Sequence, residues 1–196
     1  MPRTRTISDD SILDFALGIV RSSGPETLTF AALASGVGLS ASTIVQRFGT
    51  KQGLLRAALM RAWDLLDQET AAAIGNAPLE PSGITDLLVR LSGHYDARDF
   101  ADQLRVLRED VRDPVLRERG RDWLAALASA IEDRLPGEHA GVSGLGRTVL
   151  AQWQGTLTLW SFTQHGSVSE AVRTAIDDLL ARIALDVPRH RAPTER

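Results

Sequence analysis

The chain has 196 residues, 43% of them apolar, and a net charge of −3 from 22 Lys and Arg against 25 Asp and Glu. Those values suit one sizeable core or two small domains of ordinary globular composition. The absence of cysteine excludes disulfides, thiolate catalysis and cysteine-ligated zinc, and no charged-then-apolar secretory leader opens the chain, so the cytoplasm is the expected compartment.

In chain order, Arg3 and Arg5 stand on a short polar arm, which reads equally as a DNA-tracking arm and as a solvated tail. Ser8 to Ser22 then forms a capped amphipathic pattern. From Thr27 the sequence TLTFAALASGVGLSASTIVQRFGTKQGLLRAAL has the spacing of a helix-turn-helix followed at once by a third helix. Thr29 is placed to cap the first helix of the motif, with Phe30, Leu33 and Ala34 facing inward. Gly36 or Gly38 supplies the left-handed residue that ends it, while Val37 and Leu39 plug the angle between helices. Ser40 caps the second helix, which turns Ala41, Ile44 and Phe48 inward and Ser42, Thr43, Val45 and Gln46 outward. That outward face is small, mostly polar and almost uncharged, as insertion into a groove requires.

Gly49 closes the second helix and Thr50 caps the next, leaving Lys51, the only lysine of the chain, in a first turn where the helix dipole disfavours a cation. A DNA phosphate would account for it. Residues 1–61 carry seven basic side chains against four acidic ones, a balance of +3, so the remainder of the chain stands at −6. Non-specific DNA attraction needs only such a locally basic end.

The capped helix from Ser8 followed by LTFAALASGVGLSASTIVQRFGTKQGLL resembles the DNA-binding domain of the tetracycline-repressor (TetR) family of bacterial transcriptional regulators, over roughly residues 8–62. Thr29, Ala34, Val37, Thr43, Ile44, Phe48, Thr50, Lys51, Leu54 and Leu55 carry the match. The resemblance implies phosphate or neighbouring DNA contacts from Thr29, Thr43 and Lys51, and a recognition helix bearing Ser42, Val45, Gln46 and Arg47, with Ser40 at its start. Two positions depart from the family pattern, Val45 where tyrosine is common and Ser42 where glycine is frequent. A valine donates no hydrogen bond to phosphate, although its methyls suit a thymine methyl.

Downstream the helical period continues without a competing strand pattern. Leu54, Leu55, Ala58, Leu59, Ala62, Leu65 and Leu66 predict a connecting helix over about 51–74, and the breaker cluster GNAPLEPSG follows. Helices are then expected to about His94, over about Phe100 to Asp110, and from Pro114 to about Leu135 behind an Asp113 cap. The last two run from about Leu145 to His165 and from Val168 to Leu185, the final one opened by a Ser167–Glu170 capping box. The expected fold is all-α with about nine helices: a helix-turn-helix domain over 1–50 and a helical regulatory and dimerisation domain over 51–196.

From Thr148 to Ser169 no Asp, Glu, Lys or Arg occurs, but three glutamines and four threonines argue against a membrane span. Burial on several sides is expected instead, against a partner helix and a cavity. The resemblance implies that the two C-terminal helices pair with their copies in a homodimer, and Val172, Ile176, Leu179, Leu180 and Ile183 offer the apolar stripe. In a monomer the same stripe would pack on the body.

Candidate pocket residues are His94, Tyr95, Phe100, Leu104, Trp123, Gln152, Trp153, Thr156 and Trp160, a set that suits an uncharged or weakly polar, partly aromatic ligand if these side chains do more than pack. No cofactor is implied. His94, His139, His165 and His190 lack ligand spacing, so no metal site is expected, and no Gly-rich phosphate loop or nucleophile elbow suggests an enzyme. The expected function is a repressor released from its DNA operator by a small molecule. A DNA-binding regulator without such a ligand, or a small helical enzyme, are the other readings. Operator, ligand, regulated genes and the sign of regulation are not written in the sequence.

Overall fold

The computed structural model describes residues 7–93, 97–135 and 144–185, and its described residues are helical without a strand. Among the described residues the nine helices are α1 (Asp9–Ser23), α2 (Phe30–Val37), α3 (Ala41–Phe48), α4 (Lys51–Asn76), α5 (Pro81–Ser92), α6 (Ala97–Arg112), α7 (Pro114–Glu132), α8 (Leu145–Thr163) and α9 (Val168–Leu185), with one 3-10 turn at Pro25–Thr27. Their ends follow the predicted caps. Ser8, Thr29 and Ser40 accept from Ser11, Ala32 and Thr43 N–H, and Asp113 Oδ1 accepts from Val115 N–H at 2.9 Å. Ser167 and Glu170 satisfy each other's N–H groups reciprocally at 2.9 and 3.2 Å.

Two compact units emerge, one built from residues 1–71 with 96–125 and one from 72–95 with 126–196. Helices α4 and α7 each contribute to both.

The first unit holds the helix-turn-helix. Its core unites Ile12, Ala16, Leu17 and Val20 of α1 with Leu33 and Ala34 of α2, Ile44 of α3, Leu54, Ala58 and Leu59 of α4, and Leu116 of α7. Gly38, at φ 71°, takes the left-handed conformation that ends α2, and its N–H returns to Ala34 O. Gly36 stays helical, and the Phe15 ring occupies the space that a Cβ there would need. Val37, Leu39 and Phe48 pack partly buried on this core, whereas Ala41, expected to face inward, is exposed.

In the second unit α9 packs on both α5 and α8. Val172 and Ile176 of α9 are completely buried there, with Ile84, Leu87 and Leu88 of α5 and Val149, Leu150, Trp153 and Leu157 of α8. The uncharged stretch forms most of α8, but no described helix is long and apolar enough to cross a membrane.

Candidate nucleic-acid interface and body

The N-terminus of α3 gathers three hydroxyls. Ser40 Oγ lies 2.8 Å from both Ser42 Oγ and Thr43 Oγ1 while it caps the helix. Ser42 and Gln46 are exposed, Val45 is 42% exposed, and Thr43 is half-buried on the flank. Opposite them, the completely buried Ile44 pins α3 to the core. A short helix thus presents a nearly uncharged edge outward, with hydroxyls and free N–H groups at its start.

The basic residues of this unit do not form an unpaired field. Arg47 donates from Nη1 to Ile7 O at 2.8 Å and to Asp9 Oδ1 at 3.0 Å. Arg56 pairs with Asp113 at 2.7 Å, and Arg61 with Asp14 at 2.9 Å. Lys51 Nζ donates to Glu26 O at 2.8 Å, which ties the start of α4 to the 3-10 turn. An ammonium has three donors, so Lys51, itself exposed, keeps capacity for a phosphate. Thr29 is exposed and already caps α2.

Some expected pocket positions lie outside the described residues: His94, Tyr95 and the side chain of Phe100. The others fall in different units. In the first, Leu104 is 52% exposed, whereas Trp123 is buried beside Trp63 with ring centroids 6.0 Å apart and donates to Thr70 Oγ1 at 3.0 Å. In the second, Trp153 is buried and donates to Ser92 Oγ at 2.7 Å; Thr156 donates to Gln152 O along its own helix. Gln152 is exposed and Trp160 half-buried. These buried polar groups are satisfied within the protein, as packing residues are. A cleft of about 430 Å³ in the second unit, lined by Asn76, Asp86, Arg90 and Ser169 among others, and one of about 550 Å³ in the first, beside Gln52, Arg56 and Arg112, include none of the expected pocket residues.

Within their own chain Val172 and Ile176 of the predicted dimer stripe are 0% exposed, on the side of α9 that packs on α5 and α8. Leu179, Leu180 and Ile183 are half-buried. On α8, Phe162 at 84% and Leu159 at 69% stand exposed one turn apart. The i, i+3 spacing inside the uncharged stretch is the signal that could have found them.

Among the described residues no group of three or more His, Asp or Glu is placed to hold a metal ion. Burial pushes the pKa of the Asp110 carboxyl on α6 up from 3.8 to about 6, opposed by the hydrogen bond from Trp63 Nε1 and reinforced by Glu109. The folded state therefore binds a proton more tightly than the unfolded chain. The resulting stability is complete below pH 3.8 and is lost as the pH rises through about 6. Asp110→Asn should raise thermal stability above pH 7 by about 1–2 kcal/mol, after allowance for solvent screening, and the gain should vanish by pH 4. Equal gains at both pH values in calorimetry would refute this assignment.

These features define an all-α DNA-binding protein of the helix-turn-helix class. Residues 12–58 match the family model for bacterial regulatory proteins of the tetR family. Solved structures of similar fold include a protein from Saccharomonospora viridis in complex with choline, at 21% identity, 87% of this chain, 93% of that chain and a TM-score of 0.67. A member of the TetR family from Streptomyces coelicolor A3 aligns at 19% identity over 92% and 99% of the two chains, with a TM-score of 0.66. The multidrug binding protein EbrR complexed with imidazole aligns at 18% identity over 98% and 100%, with a TM-score of 0.62. At these identities the likeness establishes the fold. Among curated proteins no relative matches the chain. The tetR-type match spans residues 12–58, the helix-turn-helix with the helices on either side of it, and marks that stretch as a DNA-binding domain of this kind.

Proposed function

We propose that the protein is a homodimeric, cytoplasmic repressor that reads its operator with Ser42, Val45 and Gln46 of α3, and that a small uncharged or weakly polar organic molecule releases it. The observation that carries the reading is the exposed, almost uncharged edge of α3, held to the core by Ile44. The release step is supported by the size of the helical body beyond the DNA-binding domain, and by similar folds that hold choline and imidazole. Release demands a ligand that prefers the conformation with misplaced recognition helices, since equal affinity for both conformations shifts nothing.

Selection of duplexes from a random DNA library by the full-length protein tests the reading. An enriched motif with two half-sites is expected, and its absence would overturn it. Gln46→Ala should relax preference at one base position, at a cost of about 1–3 kcal/mol. Lys51→Ala should weaken binding to every sequence and lower the salt slope by about one phosphate contact. An exchange of these two patterns would reverse the assigned roles.

The dimer contact is assigned to the outer face of α8, through Leu159 and Phe162, with the half-buried Leu179, Leu180 and Ile183 of α9 beside it. Leu159→Glu combined with Phe162→Glu should give monomers by light scattering and remove tight operator binding. A persistent dimer would place the interface elsewhere. A regulator that answers to no small molecule is favoured by the satisfied indoles of Trp123 and Trp153; it predicts no thermal shift with any compound of a broad organic panel.

A further inference from the structure

We infer that Arg47, although it belongs to the recognition helix, reads no base and touches no phosphate; it braces α3 against the start of α1 and thereby sets how Ser42, Val45 and Gln46 meet the groove. This rests on the DNA-reading role proposed for α3.

At 3.6 residues per turn Arg47 lies about 140° round the helix from Ser42 and about 100° from Gln46, on the flank it shares with Thr43. Its guanidinium spans from α3 to the segment that precedes α1. There Nη1 donates to the carbonyl of Ile7 at 2.8 Å and to the carboxylate of Asp9 at 3.0 Å. The side chain is 24% exposed against 62% for that of Asp9, so the arginine is the packed member of the pair.

The receiving end is itself fixed. Ser8 caps α1, and Ile7 and Ile12, the residues before the cap and four into the helix, belong to one apolar cluster in the arrangement of a hydrophobic staple. The carbonyl that accepts from Arg47 is therefore held from two sides. To swing toward DNA, Arg47 would have to leave a main-chain carbonyl and a carboxylate together, and the carbonyl would lose a charge-assisted bond.

The recognition helix needs such a brace. With eight residues it is too short to be stable by itself, and of its side chains only Ile44 is fully buried. Ile44, with the half-buried Phe48 one turn along, holds one face of α3 to the core. Arg47 adds an attachment on the flank and so limits how far α3 can roll about that apolar contact. Positioning errors on the order of an ångström suffice to break a bidentate base contact, so the brace acts on sequence preference more than on general affinity.

The experiment uses the full-length protein, a duplex of the sequence enriched in library selection, and a scrambled duplex of equal length. Affinity is measured for both across a salt series with wild type, Arg47→Gln, Asp9→Asn and the double variant, each checked for wild-type helicity by circular dichroism. Arg47→Gln is expected to reduce the ratio of specific to scrambled affinity by about 10-fold, comparable to the loss of one good base contact, with the salt slope on scrambled DNA unchanged. Asp9→Asn should reduce the ratio in the same direction. The double variant should fall no further than Arg47→Gln, because both changes loosen one attachment. Asp9→Asn is exposed and keeps a hydrogen-bonding oxygen, so it tests the brace even if Arg47→Gln loses its fold.

Three outcomes overturn the inference. A salt slope lower by about 0.9 in Arg47→Gln would make Arg47 a phosphate contact. Loss of preference at a single base pair, with Asp9→Asn indistinguishable from wild type, would make it a base reader. An Asp9→Asn protein with a higher specificity ratio would show that the pair holds Arg47 away from DNA. If wild type itself enriches no sequence, the DNA-reading role fails, and that failure is separate from the brace.

Discussion

Replacement of Arg134 by methionine is expected to destabilise the protein by about 3–5 kcal/mol, the range for a buried charged hydrogen-bonding network deprived of its donor. Arg134 is 3% exposed and donates to four main-chain carbonyls: Ile74 at 2.7 Å, Ala77 at 3.2 Å, Pro78 at 3.0 Å and Ala130 at 2.7 Å. Ile74 lies in the last turn of α4, Ala77 directly follows that helix, and Ala130 lies in the last turn of α7. Helix ends leave such carbonyls without partners and carry the negative pole of the dipole, so one guanidinium serves both ends. No carboxylate among the described residues pairs with it; the carbonyls supply the compensation. Methionine fills similar space but donates nothing, and the buried acceptors are left unmatched. Urea denaturation is the appropriate measurement. A loss below about 1 kcal/mol would mean that water takes over the acceptors. Arg134→Lys should recover only part of the stability, because a compact ammonium lacks the planar fork that reaches all four.

Truncation of Ile44 to alanine comes next in size, at about 2–4 kcal/mol. Its side chain is 0% exposed and sits among Ile12, Leu33, Leu54 and the other residues of the first unit's core. It is also the only fully buried side chain of α3. The variant should lose thermal stability and, at temperatures where it remains folded, exchange amide hydrogens faster in α3 than in α1. Discrimination between enriched and scrambled duplexes should collapse with it. Wild-type discrimination in a clearly destabilised Ile44→Ala would show that α3 is oriented by contacts other than its buried anchor.

The difference between what could be read in the sequence and what could not is one of range. Thr29, Ser40, Thr50, Asp113 and the Ser167–Glu170 pair are legible because a cap is completed within three residues, and each bond is present. The helix pattern follows for the same reason. The partner of Arg47 lies 38 residues away, and that of Trp153 lies 61 away. Periodicity carries no information about such pairs. The +3 balance of the N-terminal stretch is likewise a sum over residues, and it does not show that Arg47, Arg56 and Arg61 each have a carboxylate close by. On α9, the apolar stripe correctly marks a buried face, but the period gives no sign of whether the same chain or another copy buries it. Val172 and Ile176 meet their own α5 and α8 side, while exposed Leu159 and Phe162 were hidden in a stretch notable for what it lacks.

The core under the helix-turn-helix includes Leu116, at 1% exposure, together with Leu59 of α4, so two residues 57 positions apart in the chain close the same apolar cluster. At a synthesis rate of roughly 5–20 residues per second, that last contributor leaves the ribosome about 3–11 s after Leu59. The nascent helix-turn-helix must wait through that interval with an unfilled gap, and a fragment ended at residue 62 would keep the gap permanently. Transplanting the DNA-reading portion onto another body would therefore require residues 96–125 to travel with it.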